Sequence, residues 1–281
     1  MVTGITGATG QLGRIVVDEL KKRIPTAQIV ALVRSPEKAA DLGVTVRAAD
    51  YARPDTLASA LSGIDALLLI SSSEVGQRTA QHRNVIEAAA KAGVKRIVYT
   101  SLLHADTSPL SLASEHVETE AMLRASGIPS TILRNGWYME NHAGSAKMAL
   151  ASGAFIGAAS TGRVAGAARR DLAEAAAIVL TSPGHEGKVY ELAGDERYTL
   201  AELAAEIGRQ AGKDLPYRPL GQAGYAKALE GAGVPPQFAQ ALATWDADVA
   251  KGALDDESRT LSRLLGRPTT PLSVVVAKAL A

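Results

Sequence analysis

Residues 6–13 read TGATGQLG, directly after a short apolar run at 2–6 and at the head of an amphipathic pattern over 12–23. A strand that turns through three spaced glycines into a helix is the phosphate-binding fingerprint of doubly wound α/β folds. Each glycine has a physical task. Gly7 lets the chain turn sharply off the strand. Gly10 clears the place where backbone meets a pyrophosphate, and Gly13 lets the helix pack close to the strand. The N–H groups and partial positive charge of the helix start then face the phosphates. Glycine is common in this chain, 26 of 281 residues, so the spacing alone is a weak sign. Its place between the first strand and the first long helix gives it force. Gly4, inside that strand, reads as a frayed start.

Outward from this loop, apolar runs at 28–33, 44–49, 66–70, 96–101 and 130–134 alternate with helical patterns such as 78–92 and 112–125. Strands separated by helices imply right-handed crossovers and a parallel sheet. Lys91-Ala92-Gly93 and Ser126-Gly127 read as helix stops. After Arg134 the pattern changes, and 135–167 is rich in Gly, Ala and Ser with irregular spacing. A helix over 171–181 and a strand over 188–192 resume the alternation. Helices then dominate, at 199–211, 221–231, 236–251, 257–265 and 272–280, the first opened by a capping box of Thr199 and Glu202. The expected architecture is α/β. A Rossmann-type doubly wound parallel sheet takes residues 1–134 and 168–194. A smaller, mainly helical substrate or lid domain takes 135–167 and 195–281.

Composition excludes several classes. Lys plus Arg is 30 and Asp plus Glu is 29, a net charge of +1, which leaves no footprint for nucleic acid or an anionic membrane. Without cysteine there is no disulfide, thiolate nucleophile, iron–sulfur cluster or Cys-ligated zinc. His82, His104, His116, His142 and His185 show no metal-ligand spacing, so no metal is expected. The longest apolar run, 64–70, is broken by Asp65 and is far below the roughly 20 residues of a membrane span. The expectation is a cytoplasmic chain, monomer or homodimer, acting on a small molecule.

The residue ending the second strand selects the cofactor. An acid there would accept the adenosine ribose 2′-hydroxyl. This chain has Arg34 instead, whose guanidinium suits a 2′-phosphate. NADPH is favoured, with NADH possible but weaker; the alternative for Arg34 is a solvated surface arginine. Asp50, ending the third strand, is placed to meet the adenine. Ser71, Ser72 and Ser73, ending the fourth, fall where the switch-point crevice brings backbone and hydroxyls to the cofactor.

Short-chain dehydrogenases normally carry Tyr-x-x-x-Lys, and none of the seven tyrosines has Lys four residues later. A carbonyl reductase needs a proton donor at the developing alkoxide. An acceptor that yields a weakly basic anion does not, and quinones, cationic dyes and some azo compounds meet that requirement. No dedicated catalytic residue is expected. His116, Tyr138 and His104 are the candidate proton donors; the plainer reading of His116 is a polar helix position facing solvent or Glu120, and of His104 a surface loop residue. His82, His142 and His185 read as structural or exposed. Asn135, Gly136, Trp137, Tyr138, Met139 and Glu140 follow the sixth strand in an aromatic-poor chain. Trp137 and Tyr138 offer a flat apolar wall for a planar ring, or an anchor that packs the lid. Trp245 reads as core.

These runs, together with VALVRSP (30–36), LLLISSSEVGQR (67–78), YTSLLHADTSPL (99–110) and LRNGWYMENH (133–142), resemble the bacterial type-2 NAD(P)H:quinone oxidoreductases. That family lies in the NmrA-like group of atypical short-chain dehydrogenases. The resemblance spans nearly the whole chain, and SSSEVGQR and RNGWYMEN separate it from the related triphenylmethane reductases. It implies a flavin-free enzyme that reduces quinones to quinols with NADPH. In that picture Gly7, Ala8, Thr9, Gly10, Gln11 and Leu12 hold the pyrophosphate, Arg34 the 2′-phosphate and Ser71–Ser73 the middle of the cofactor. Asn135 to Glu140 border the quinone, and Arg169 approaches the cofactor or the substrate mouth. Two other functions fit the same motifs: an NADP(H)-sensing regulator without turnover, and a reductase of dyes or other xenobiotics.

Overall fold

The computed structural model describes residues 1–281, which form two compact units. The first comprises Met1–Asp106, Leu112–Asn135 and Arg169–Glu191; the second comprises Thr107–Ser111, Gly136–Ala168 and Leu192–Ala281. The chain opens with β1 (Thr3–Thr6), α1 (Gln11–Lys21), β2 (Ile29–Val33), β3 (Thr45–Ala48), α2 (Pro54–Ala60) and β4 (Ala66–Leu69). It continues with α3 (Arg78–Ala92), β5 (Arg96–Leu102), α4 (Ala113–Ala125) and β6 (Ser130–Asn135). It then runs through α5 (Met139–Ala143), α6 (Ala146–Ser152) and β7 (Phe155–Gly157) before returning with α7 (Arg169–Thr181) and β8 (Val189–Leu192). The seven-stranded sheet has the order β3-β2-β1-β4-β5-β6-β8, and β1 to β6 pair in parallel. Strand order reverses between β1 and β4, which is where doubly wound sheets bind ligands, beyond the carboxyl ends.

The central strands β1, β2 and β4 are buried at every position, as parallel strands covered on both faces must be. One face carries Val30, Leu32, Leu67, Leu69, Ile97 and Tyr99 against Leu57 of α2, Val85 and Ile86 of α3 and Leu123 of α4. On the other face α1 packs against α7. The apolar stripe of α1, Leu12, Val16, Val17 and Leu20, recurs at helical spacing and is almost wholly enclosed. Burying each such side chain contributes about 1.5–3 kcal/mol. The α7 face is built largely of alanine, and Ala173, Ala176 and Ala177 let the helix axes approach closely. Gly4 is not frayed. It is buried and paired with Val30 and Leu67, and a methyl group there would lie 3.1 Å from both Ile64 Cγ2 and Leu32 Cδ1. The helix α2, opened by Pro54, has too short an apolar pattern to read from the sequence.

The second unit adds α8 (Leu200–Ala211), β9 (Tyr217–Pro219), α9 (Gln222–Gly231), α10 (Pro236–Val249), α11 (Thr260–Leu265) and α12 (Leu272–Leu280). The α8 capping box forms: the Thr199 hydroxyl accepts from Glu202 N at 3.1 Å, and Glu202 Oε2 accepts from Thr199 N at 2.7 Å. A two-stranded parallel sheet of β7 and β9 lies in the stretch that looks irregular in sequence. Helix α12 packs on α5, α6 and α8, and α9 pairs with α10. Asp195 ties down the late chain, accepting from Thr269 N at 3.0 Å and Ser262 Oγ at 2.7 Å. The stretch expected as a helix over 257–265 begins instead at Thr260, after Arg259 in a left-handed conformation (φ +51°). No helix is long and apolar enough to cross a membrane.

Candidate functional site

In the first unit the loop after β1 sits at the reversal of strand order. Gly7 has φ +59°, a conformation that side chains disfavour, so glycine is required for this turn. Gly13 solves a different problem: a Cβ there would lie 2.3 Å from Gly7 O and 2.7 Å from Ala8 Cα, so any side chain would drive the helix off the loop. Gly10, the N-cap of α1, has no side-chain cap, and a Cβ there would meet only Gly7 O at 3.2 Å. The first N–H groups of α1 thus face a space that neither a cap nor a neighbouring side chain fills. This cradle fits a pyrophosphate. Ala8 is buried, Thr9 half-buried and Gln11 exposed, while Leu12 is core.

Arg34 follows β2 and is well exposed, and its Nη1 pairs with Glu74 Oε1 at 2.9 Å. Asp50 uses its Oδ1 to accept from Ala52 N at 3.0 Å and so closes a turn. The backbone N–H groups of the serines after β4 are taken up by neighbouring side chains. Ser71 N donates to Thr100 Oγ1 at 2.9 Å, and Ser72 N donates to His82 Nε2 at 3.0 Å. That bond leaves the proton on His82 Nδ1, which lies 3.0 Å from Thr119 Oγ1. Burial holds His82 neutral, with its pKa pushed down to about 3. Ser72 O accepts from Arg78 Nε at 2.8 Å, and Glu115 of α4 accepts from Gly76 N, Arg78 N and Arg78 Nη1. The SSSEVGQR loop is therefore built on His82, read as structural, and on Arg78 and Glu115, whose roles the sequence reading missed. Only spacing from the serines could have flagged them. Arg169 opens α7 and is half-buried.

The histidine candidates divide. His116 does not face solvent or Glu120. It is 5% exposed, its Nδ1 lies 2.7 Å from the Tyr99 hydroxyl, and burial pushes its pKa down to about 3. A ring enclosed in this way is a core hydrogen-bond partner and is badly placed to donate to a substrate. His104 is half-buried in a left-handed conformation (φ +53°), and its N–H donates to Glu191 Oε2 at 2.8 Å. Glu191 in turn accepts from Arg134 Nη1 at 2.9 Å, and Arg134 Nη2 lies 2.9 Å from Glu120 Oε2. His82 and His185 are structural as read, His185 lying between Ser182 Oγ and the Tyr190 hydroxyl.

The second unit contains a cavity of about 600 Å³ with largely apolar walls. Of the six residues expected at the substrate wall, only Trp137 lines it. Asn135 is buried at the end of β6, and its Oδ1 finds no partner. Gly136 is pressed against Leu192 O and Ala165 O. Met139 is fully buried, with its side chain over Gly166 and Gly194. Tyr138 and Glu140 are half-buried and outside the cavity lining. The second large aromatic beside Trp137 in this cavity is Trp245, 6.2 Å away centroid to centroid in a T-shaped arrangement. Trp245 is therefore not simply core: it lines the cavity, and its Nε1 donates to Ser111 Oγ at 2.9 Å. His142, read as structural or exposed, also lines the cavity, with its Nδ1 3.2 Å from the Tyr198 hydroxyl; burial lowers its pKa to about 4. Asp246 lies in the lining too, its pKa raised by burial while its Oδ2 accepts from Ala158 N at 2.6 Å. Met148 and Phe238, 57% and 51% exposed, also line the cavity and mark its open side.

A family model described as NAD(P)H-binding matches residues 7–183. Quinone oxidoreductase 2 of Escherichia coli (strain K12) is 58% identical over 276 residues, covering 97% of this chain and 96% of the relative. The crystal structure of the E. coli NADPH-dependent quinone oxidoreductase complexed with NADPH superposes with a TM-score of 0.97 at 57% identity, covering all of both chains. That of Citrobacter sp. triphenylmethane reductase complexed with NADP(H) gives 0.95 at 39% identity, over 99% of each. The chain belongs to the NAD(P)H-binding family and, within it, to the NmrA-like group that its motifs resemble.

Proposed function

We propose that this chain reduces quinones to quinols with NADPH, in one two-electron step and without a flavin. The observation that carries this reading is its 58% identity with a quinone oxidoreductase over nearly the full length of both chains. When bound, the dinucleotide supplies a hydride. The chain's own residues bind and orient. The α1 N-terminus and Gly10 take the pyrophosphate, Arg34 the 2′-phosphate, and the backbone of Ser71–Ser73 the middle of the cofactor. Arg169, at the start of α7, serves the cofactor's far end. The cavity of the second unit takes the quinone, with Trp137 and Trp245 as flat walls and His142 as a polar edge. Quinol anions are weak bases and take protons from water, so no residue acts as a dedicated acid. The reaction is placed in the cytoplasm, with the chain as a monomer or homodimer.

The test is loss of NADPH absorbance with a soluble quinone, with quinol formed in equal amount. No turnover by a protein that binds NADPH would sink the reading and leave a nucleotide sensor. Trp137→Ala should raise KM roughly 2- to 10-fold, the equivalent of about 0.5–1.5 kcal/mol of aromatic contact, and leave NADPH affinity unchanged. An unchanged KM would move the quinone out of the cavity. A second reading, reduction of cationic dyes in the same cavity, is favoured by the 39% identity to the triphenylmethane reductase. Steady-state comparison of a quinone and a triphenylmethane dye at one NADPH concentration ranks the two.

A further inference from the structure

The end of β2 offers a cation and no carboxylate, yet a carboxylate stands next to that cation. Glu74, on the loop after β4, places Oε1 2.9 Å from Arg34 Nη1. It is not a loose surface acid. Its second oxygen accepts from Gln81 Nε2 at 2.7 Å, and its own N–H donates to Ser72 Oγ at 3.2 Å. Gln81 is itself 7% exposed, so burial fixes the amide that holds Glu74. The loop around Glu74 is fastened by Glu115 through Gly76 and Arg78 and by His82 through Ser72. Arg34, in contrast, is 69% exposed along its side chain, and Glu74 is its partner there. An exposed pair of this kind is worth about 0–1 kcal/mol, so a competing dianion displaces it easily.

We propose that Glu74 supplies from the β4 loop the acid that β2 lacks, accepting the adenosine ribose 2′-hydroxyl of NADH and releasing Arg34 to the 2′-phosphate of NADPH. A carboxylate fixed beside the guanidinium is positioned to accept from a 2′-hydroxyl placed against Arg34. The same carboxylate opposes a 2′-phosphate by charge, so it narrows the preference that Arg34 creates. The two residues together make the site accept both dinucleotides. This rests on the assignment of Arg34 to the 2′-phosphate, and the test separates the two.

The test is calorimetric binding of adenosine 2′,5′-bisphosphate and of ADP to the full chain, which needs no turnover. Glu74→Gln keeps the shape and removes the charge. It should weaken ADP about tenfold, as loss of a charge-assisted bond does, and strengthen the bisphosphate several-fold. Arg34→Ala should weaken the bisphosphate at least tenfold and change ADP little. If Glu74→Gln shifts both ligands equally, or neither, Glu74 does not read the 2′ position and the proposal falls. If Arg34→Ala leaves the ratio of the two affinities unchanged, the Arg34 assignment falls instead. Circular dichroism of both variants confirms that they are folded, as expected for substitutions of exposed side chains.

Discussion

Gly13 has no room for a methyl group, and Gly10 has a little. The clash at Gly13 is with backbone, which cannot step aside, whereas at Gly10 the one neighbour is at 3.2 Å. Gly13→Ala should therefore lower stability by about 1–3 kcal/mol and loosen the cofactor loop. Gly10→Ala should keep the melting temperature within a few degrees and weaken NADPH severely, because its methyl points at the phosphate space. Thermal melts with and without NADPH decide between them. The loop was legible because its spacing is local in sequence. His116, His142, Met139 and Trp245 were not, since their environment is set by residues far along the chain. Met139 faces Gly166 and Gly194, and His116 meets Tyr99. His116→Ala removes one partner of a buried Tyr99 hydroxyl and opens a cavity beside it, and should cost about 1–3 kcal/mol. It should leave kcat of the folded enzyme within a few-fold. A thousandfold fall in kcat would name His116 as the acid after all.

The end of β6 shows what joins elements that share no sequence neighbourhood. Arg134, 9% exposed along its side chain, meets Glu120 of α4, Glu191 of β8 and Asp106 of the loop beyond β5. Glu120, 1% exposed, also accepts from Ser101 Oγ at 2.7 Å. Glu191 holds the His104 backbone in its left-handed conformation. Arg134→Met leaves buried Glu120 with only the exposed Arg124, 3.7 Å away, as countercharge and should cost up to about 3–5 kcal/mol in urea unfolding. A loss under about 1 kcal/mol would mean that the cluster is solvated. Most strands and long helices were legible, because alternation and helical stripes run over many residues. The stretch 135–167 was not: α5 has five residues, α6 seven and β7 three, each too short to show a period. Their stability comes from packing against α12 and α8.

At the scale of the molecule, buried neutral histidines set the response to acid. His82 and His116 titrate near pH 3 when folded and near 6.5 when unfolded. Between those values the unfolded chain binds more protons, so stability is fully present above about pH 6.5 and is lost as the pH falls. Each histidine contributes a slope of about 1.4 kcal/mol per pH unit, and unfolding curves at about pH 5, 5.5 and 6 should show it. His116→Gln should reduce the slope by about 1.4 kcal/mol per pH unit; an unaltered slope would assign it to other groups. The chain also crosses from one unit to the other several times, and the short excursion at Thr107–Ser111 is the crossing that no change of sequence pattern marks. The pairing of α1 with α7 has a consequence for the newborn chain. Residues 11–21 leave the ribosome with their apolar stripe ready, but the helix that covers it starts at Arg169. At about 5–20 residues per second, that stripe waits on the order of ten seconds for its partner. Nascent chains arrested before residue 169 should bind an apolar dye or a holdase chaperone, and chains with α7 clear of the exit tunnel should release it. The order of synthesis thus leaves the first helix of the fold exposed until a partner made about 150 residues later arrives.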